Sequence, residues 1–138
     1  MSYLYSMSYN LFLDDYRDPK DVALYCRVGD IPLYIHREWV IVKNYEEFVT
    51  ILIERGIPDM VSFDHDLAEE PQNHKEKTGL ECARYLISLL APAGEPFPFY
   101  RIHSMNPVGA DNIENEIQNY ERNKGRYAKL LKDENTKD

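Results

Sequence analysis

Long apolar runs, a surplus of basic residues and a paired-cysteine framework are all missing from this chain of 138 residues. The longest apolar runs are far too short to span a bilayer, so we expect no membrane partner. The two cysteines, Cys26 and Cys82, lack metal-type spacing, and we expect them to be reduced thiols in a cytoplasmic protein. The polar, tyrosine-rich start, residues 1–9, does not resemble a secretory signal.

The charge balance is acidic, with a net charge of −8 and a pI near 5.0. Such a charge disfavours long-range attraction to a phosphate backbone, so we expect no extended duplex nucleic acid as a partner. A short or single nucleic-acid end, held by a few specific contacts, stays open. A hydrophobic content of 43% and an aromatic content of 12% indicate a globular chain, and its length fits one domain.

Short apolar segments alternate with helical patterns along the chain. Four segments have the composition of buried strands: residues 9–13, 39–42, 60–63 and 99–102. Asn44 and Thr78 are typical helix N-caps, and Gly56 is a typical helix end. Asn106-Pro107 is a typical entry to a helix that ends near Tyr120. The alternation predicts an α/β fold, a doubly wound parallel sheet with right-handed βαβ connections.

Other parts of the chain carry weaker patterns. Residues 19–38 lack a clean helical stripe, although Leu33-Tyr34-Ile35 suggests a short extra strand. Residues 68–77 form a polar loop that is long enough to act as a lid. The last eighteen residues or so are highly charged. We therefore predict one α/β domain over residues 1–120, followed by a charged C-terminal helix or tail over residues 121–138.

Polar side chains follow three of the predicted strands at the point where each strand ends. They are Asp14 and Asp15 after the first strand, Asp64, His65 and Asp66 after the third, and His103, Ser104 and Asn106 after the fourth. The carboxyl ends of parallel strands meet at one edge of the sheet, where ligands bind in open α/β folds. We therefore expect these side chains to share one site.

Each of these groups also has a purely structural explanation. Asp18-Pro19 is a good turn opener, and Arg17 could simply pair with Asp18. Asn106 could serve only as a helix N-cap, and either histidine could satisfy a neighbouring carbonyl group. Against this, adjacent carboxylates repel each other unless a hard cation relieves the repulsion. Their convergence with two histidines at one edge favours a functional site.

Several blocks of the sequence resemble the cyclic-phosphate processing receiver domain family, which is related to the receiver domains of two-component signalling. The blocks are Leu-Asp-Asp-Tyr-Arg-Asp-Pro at 13–19, Ser-Phe-Asp-His-Asp-Leu at 62–67, Thr-Gly at 78–79, and His-Ser-Met-Asn-Pro-Val-Gly-Ala-Asp-Asn-Ile at 103–113. The resemblance covers roughly residues 9–120 and implies a receiver-like sheet in the order 2-1-3-4. It also implies that Asp14, Asp15 and Asp64 hold Mg²⁺ or Mn²⁺, and that the substrate is a cyclic-phosphate nucleotide or RNA end.

The chain departs from ordinary receiver domains in two respects. No apolar fifth strand follows the last predicted helix, and the lysine that receivers carry after that strand has no counterpart. Two histidines, His65 and His103, instead follow neighbouring strands. We predict that both transfer protons, with Asp66 beside them, and that neither lies in the apolar core. The predicted phosphate contacts are Ser104, Asn106 and Arg17.

Two functions of different classes are compatible with this interpretation. The first is a metal-assisted phosphoesterase that processes cyclic phosphate ends. The second is a receiver-like module that binds or senses a phosphorylated ligand without turning it over. The missing lysine argues against phosphorelay, and the two histidines favour chemistry.

Overall fold

The computed structural model describes residues 8–67 and 77–135. These residues contain four strands: β1 (Asn10–Leu13), β2 (Trp39–Val42), β3 (Met60–Phe63) and β4 (Phe99–Ile102). The strands are parallel and lie in the order β2-β1-β3-β4. This confirms the predicted order, and the described part of the chain contains no fifth strand. Most of the predicted lid lies outside the described residues.

Helices cover both faces of the sheet. They are α1 (Pro19–Ala23), α2 (Ile31–His36), α3 (Tyr45–Arg55), α4 (Gly79–Leu90) and α5 (Pro107–Asn135), with short 3₁₀ turns at Val28–Asp30 and Ala91–Ala93. The predicted N-caps are confirmed, because the Asn44 side chain accepts a hydrogen bond from the Glu47 amide and the Thr78 hydroxyl accepts one from the Leu80 amide. Among the described residues, no helix has the length and apolar character needed to cross a membrane.

The extra strand predicted at residues 33–35 is wrong, because this segment belongs to helix α2. A proline in its first turn fits a helix start, where no backbone N–H is required. Tyr34 is buried while its neighbour Ile35 is 47% exposed. The apolar positions therefore follow a helical face, and the stretch was too short for that period to stand out from the sequence.

Helix α5 does not end at Tyr120 as predicted but continues to Asn135. Residues beyond Tyr120 contact the chain that leads into β4, because the Glu121 carboxylate accepts a hydrogen bond from the Phe97 amide at 2.6 Å. Tyr127 stacks on Tyr120 with 6.1 Å between ring centroids. The charged sequence of this segment did not indicate these contacts, because only one face of this part of the helix is packed.

The core is divided by the sheet into two layers. Leu11 and Leu13 point to the face covered by α3, α4 and α5, while Phe12 between them points to the face covered by α1 and α2. The chain moves from β1 to β2 in one direction and then returns past β1 to β3 and β4. This reversal places a topological switch point beside β1 and β3, at whose carboxyl ends the acidic residues lie.

Candidate functional site

The residues that come directly after β1, β3 and β4 are fixed by an extension of the sheet ladder. The backbone N–H groups of Asp14, Asp64 and His103 each donate to the last carbonyl of the neighbouring strand, at 3.0, 3.0 and 2.9 Å respectively. The backbone of all three therefore has the rigidity of the sheet itself. This confirms that the strand ends converge on one edge.

Asp14, Asp15 and Asp64 form an acidic cluster at this edge. One oxygen of each carboxylate lies within 4.8 Å of the others. Asp14 and Asp64 are buried, at 1% and 4% exposure, and Asp15 is half-buried. Three carboxylates with no thiolate among them form a donor set that could hold a hard metal ion.

The Asp14 carboxylate accepts four hydrogen bonds. One oxygen accepts from the amides of Tyr16 and Arg17 at 3.0 and 2.9 Å. The other accepts from the Arg17 guanidinium at 3.1 Å and from His103 Nε2 at 3.0 Å. Burial alone would raise the pKa of Asp14, but these donors outweigh it and lower the pKa to about 2. Asp14 is therefore ionised at neutral pH.

Asp64 has the opposite shift, although it lies beside Asp14. Burial, followed by repulsion from ionised Asp14, raises the pKa of Asp64 to about 6. The Arg17 guanidinium, 3.8 Å from one Asp64 oxygen, and the His65 amide, 2.8 Å from the other, only partly offset this rise. Burial and the same negative charge also raise the pKa of Asp15. The three carboxylates thus have more negative charge than the surrounding hydrogen-bond donors and Arg17 compensate.

Arg17 lies against this cluster. Its guanidinium pairs with Asp14 and approaches Asp64, and it lies over the Tyr16 ring at 4.7 Å from the centroid. It does not pair with Asp18, whose carboxylate instead caps α1. Arg17 is therefore at the predicted edge, where its contact with a phosphate stays a prediction. No lysine among the described residues forms an ion pair with these carboxylates.

His65 and Asp66 form a hydrogen-bonded pair at the end of β3. His65 Nδ1 lies 2.8 Å from an Asp66 oxygen, and this bond is the main reason that the pKa of Asp66 is lowered. The Asn106 amide also donates to both Asp66 oxygens at 3.3 Å. Ionised Asp66 can only accept, so Nδ1 carries the hydrogen, and the neutral form of this ring has its lone pair on Nε2. No described residue bonds to His65 Nε2.

Two glycines hold this segment from opposite sides. The Gly79 amide donates to the His65 carbonyl at 2.8 Å, and a Cβ atom at Gly79 would overlap the carbonyl of Asp64. A Cβ atom at Gly109, in the first turn of α5, would overlap the imidazole ring of His65. Neither position tolerates a side chain without moving a residue of the site.

His103 lies deeper than predicted. It is 6% exposed, and its ring stacks on Phe12 with 4.6 Å between centroids and an interplanar angle of 2°. Nδ1 bonds to the Ser62 hydroxyl at 2.7 Å and Nε2 bonds to Asp14, so both ring nitrogens are engaged inside the protein. Burial lowers the pKa of His103 despite the adjacent carboxylate. The expectation that His103 lies outside the core is wrong, and its direct contact is with Asp14.

The remaining predicted residues lie in the loop between β4 and α5. Asn106 is the N-cap of α5, since its side-chain oxygen accepts from the Gly109 amide at 3.0 Å while its amide holds Asp66. The Ser104 oxygen accepts from the Asn106 amide at 3.0 Å. The Ser104 hydroxyl hydrogen has no acceptor among the described residues, so it is available to a phosphate oxygen.

Four residues of this arrangement were missed by the sequence analysis: Tyr34, Ser62, Gly79 and Gly109. Ser62 had a usable signal, because a hydroxyl within a short apolar strand must find a partner when it is buried. The glycines near two helix starts were a second signal, because glycine is unfavourable in helices unless close packing requires it. Tyr34 had none, because its helix was not recognised.

The sequence model of the cyclic-phosphate processing receiver domain matches residues 9–119. This span contains all four strands and every residue of the site described above. No curated protein matches the chain, and no solved structure matches it.

The Gly109 contact leads to a prediction. We expect Gly109→Ala to push the His65 ring out of its position and to lower the free energy of unfolding by about 1–3 kcal/mol. Gly125→Ala is the matched control, because it lies in the same helix with no atom close to the added Cβ. It should leave His65 unchanged and stabilise the protein by up to about 1 kcal/mol. NMR of the His65 imidazole with chemical denaturation distinguishes them, and an unmoved ring in Gly109→Ala would contradict the prediction.

The raised pKa of Asp64 gives a pH prediction. The folded value of about 6 exceeds the ordinary 3.8, so protonated Asp64 contributes stability that is complete below pH 3.8 and lost as the pH rises through 6. Without divalent cations, we expect Asp64→Asn to exceed the wild type in stability by up to about 3 kcal/mol at neutral pH and by little near pH 4.

Chemical denaturation across this pH range measures the difference. Asp66→Asn is the control of opposite sign, because the pKa of Asp66 is lowered in the folded protein and its loss should destabilise at neutral pH. Parallel pH profiles for Asp64→Asn and the wild type would show that Asp64 does not have the raised pKa.

Proposed function

This chain belongs to the cyclic-phosphate processing receiver domain family, and on that premise we propose that it is a metal-assisted phosphoesterase that opens cyclic phosphate ends of nucleotides or RNA. The observation that carries the proposal is the His65–Asp66 pair at the same sheet edge as three clustered carboxylates. A proton acceptor can activate water and a bound cation can offset phosphate charge, and both assist the hydrolysis of a phosphodiester.

The acidic cluster is the proposed metal site. Asp14, Asp15 and Asp64 would hold one Mg²⁺ or Mn²⁺, since their oxygens lie close together and their charges are only partly compensated. When bound, such a cation offsets phosphate charge and polarises the phosphoryl group.

His65 is the proposed acid–base residue. Nε2 accepts a proton from the attacking water as the new P–O bond forms, while Asp66 stabilises the imidazolium through Nδ1. The P–O bond to one ribose oxygen then breaks, and the same imidazolium returns its proton to that oxygen. The product is a phosphomonoester, and no covalent enzyme intermediate is required. One histidine performs both transfers, because His103 has no ring nitrogen left for a substrate.

The other polar groups position rather than transfer. The Ser104 hydroxyl and the Arg17 guanidinium donate to phosphate oxygens in this proposal, and both side chains lie at the open edge. Asn106 acts indirectly, because its amide holds Asp66 in place. His103 acts through Asp14, to which it donates from the buried side.

The proposed partner is a single nucleotide or RNA end and not an extended duplex, in keeping with the net charge of −8. A cytoplasmic setting is also part of the proposal. It rests on two cysteines that are both free, Cys26 partly exposed and Cys82 buried.

The reaction can be tested directly. Purified protein with Mg²⁺ or Mn²⁺ should open 2′,3′-cyclic nucleotides or an RNA oligonucleotide with a cyclic end, followed by chromatography of the monoester product. His65→Ala should lower turnover about a hundredfold or more, because general acid–base catalysis is lost. Asp66→Asn should also lower turnover, because an amide that donates to Nδ1 would move the hydrogen to Nε2, where the lone pair is needed.

The control is His36→Ala, which removes an exposed histidine at the end of α2. It should retain full turnover. Equal turnover in His65→Ala and the wild type would remove His65 from the mechanism. Tight binding of the cyclic phosphates without any product would favour the second function, a module that senses a phosphorylated ligand.

Divalent binding has its own test. Calorimetry at neutral pH should detect one Mg²⁺ or Mn²⁺ per wild-type chain and at least tenfold weaker binding to Asp64→Asn, because a charged oxygen ligand is lost. Asp59→Asn is the control, since it changes an exposed aspartate at the opposite end of β3. Equal affinity in Asp64→Asn and Asp59→Asn would refute the assignment of the metal site.

A further inference from the structure

A line of buried polar groups runs beneath the acidic cluster on the face covered by α1 and α2. The Tyr34 hydroxyl lies 2.7 Å from Ser62 Oγ, Ser62 Oγ lies 2.7 Å from His103 Nδ1, and His103 Nε2 lies 3.0 Å from Asp14 Oδ2. All four residues are at most 6% exposed. Two of them, Tyr34 and Ser62, have no part in the proposed reaction.

The donor and the acceptor of each hydrogen bond in this line can be assigned from the groups that it joins. Asp14 is an ionised acceptor, so His103 Nε2 must carry the hydrogen between them. If Nδ1 also carried a hydrogen, Ser62 would accept it and donate onward to Tyr34. The Tyr34 hydroxyl hydrogen would then have no acceptor among the described residues, which is unfavourable for a buried donor.

The opposite direction satisfies every group. Tyr34 donates to Ser62, Ser62 donates to a bare Nδ1, and Nε2–H donates to Asp14. Burial raises the pKa of Tyr34 to about 12, so its hydroxyl keeps the hydrogen that this arrangement requires. Stacking on Phe12 holds the plane of the His103 ring, and the Ser62 hydroxyl holds its Nδ1 side, so that Nε2–H faces Asp14.

We propose that Tyr34 and Ser62 are positioning residues, which hold the Nδ1 side of His103 so that its Nε2–H always donates to Asp14 and orients that carboxylate. The proposal rests on the proposed function in one respect, that Asp14 is a cation ligand. Partners that hold a ligating side chain from behind commonly contribute tenfold to a hundredfold in metal affinity.

The segment of residues 19–38, which showed no clear pattern in the sequence, has a role in this arrangement. Helix α2 carries Tyr34, whose ring stacks on Trp39 with 5.6 Å between centroids. The Trp39 indole N–H in turn donates to the Leu33 carbonyl. The helix therefore holds the far end of the hydrogen-bonded line against β2.

The test compares three hydroxyl deletions in the full chain. Ser62→Ala should raise the dissociation constant for Mg²⁺ or Mn²⁺ at least tenfold by calorimetry, and Tyr34→Phe should raise it less, because Ser62 can still donate to Nδ1. Tyr120→Phe is the matched control, since it removes a buried hydroxyl that bonds to a carbonyl remote from the cluster. It should leave the dissociation constant unchanged.

A second readout follows the hydrogen bond from His103 to Asp14. In NMR of the histidine rings, wild-type His103 should show a bare Nδ1 and an Nε2 proton displaced to high chemical shift by its bond to Asp14. Ser62→Ala should shift the Nε2 proton resonance, because the ring is no longer held on its Nδ1 side, and Tyr120→Phe should match the wild type. A purely structural role for Ser62 would lower stability and leave both the Nε2 proton resonance and the metal affinity unchanged.

The two readouts separate failure of this proposal from failure of the proposed function. If the wild type binds no divalent cation, the metal site is refuted, while the Nε2 proton resonance in Ser62→Ala still decides whether Ser62 positions His103. An unchanged Nε2 proton resonance in Ser62→Ala overturns the positioning proposal, whatever the metal result. If Ser62→Ala does not fold, an unchanged resonance and an unchanged affinity in Tyr34→Phe overturn the proposal in its place.

Discussion

The buried carboxylate of Asp14 is the charge on which the rest of the site depends. An ionised carboxylate away from water is very costly unless donors surround it, and Asp14 accepts from two amides, a guanidinium and an imidazole. These donors come from the loop after β1 and from the end of β4. Ionised Asp14 therefore ties two strand ends together and fixes how His103 is oriented.

The charge of Asp14 is one reason that two neighbouring carboxyl groups have opposite pKa shifts. Asp14 has a pKa of about 2 and Asp64 a pKa of about 6, because the donors gather on Asp14 and its charge then repels a second one. At neutral pH, Asp64 is held in an unfavourable ionised state. A divalent cation held by the proposed metal site would offset this repulsion and would stabilise the folded protein.

The two faces of the sheet are covered by different helices. Helix α5 packs against α4 on the face that α3 also covers, and among the described residues the segment containing α1 and α2 covers the other face near His103. Two contacts fasten that segment to β4. Tyr25 donates to the His103 carbonyl at 3.1 Å, and Asp30 pairs with Arg101 at 3.2 Å. A stretch with little sequence pattern thus closes the buried side of the site.

By itself, the sequence determined the strands and the edge at which Asp14, Asp64 and His65 meet. Apolar period and composition are local properties, and parallel strands bring the residues at their carboxyl ends to one edge whatever the details of packing. The order of the strands was implied by the resemblance to receiver domains. That order makes β1 and β3 neighbours, which brings together the carboxylates that follow them.

Only the tertiary structure decided what each polar group contacts. Asn106 was equally compatible with an N-cap and a phosphate ligand, and His103 with a free and a buried imidazole. Helix α2 was hidden because six residues span too few turns to show a period, and its Tyr34 finds Ser62 across 28 residues of chain. Hydrogen-bond partners are set by the burial of both groups together, and burial is a property of the packed fold and not of any single stretch of sequence.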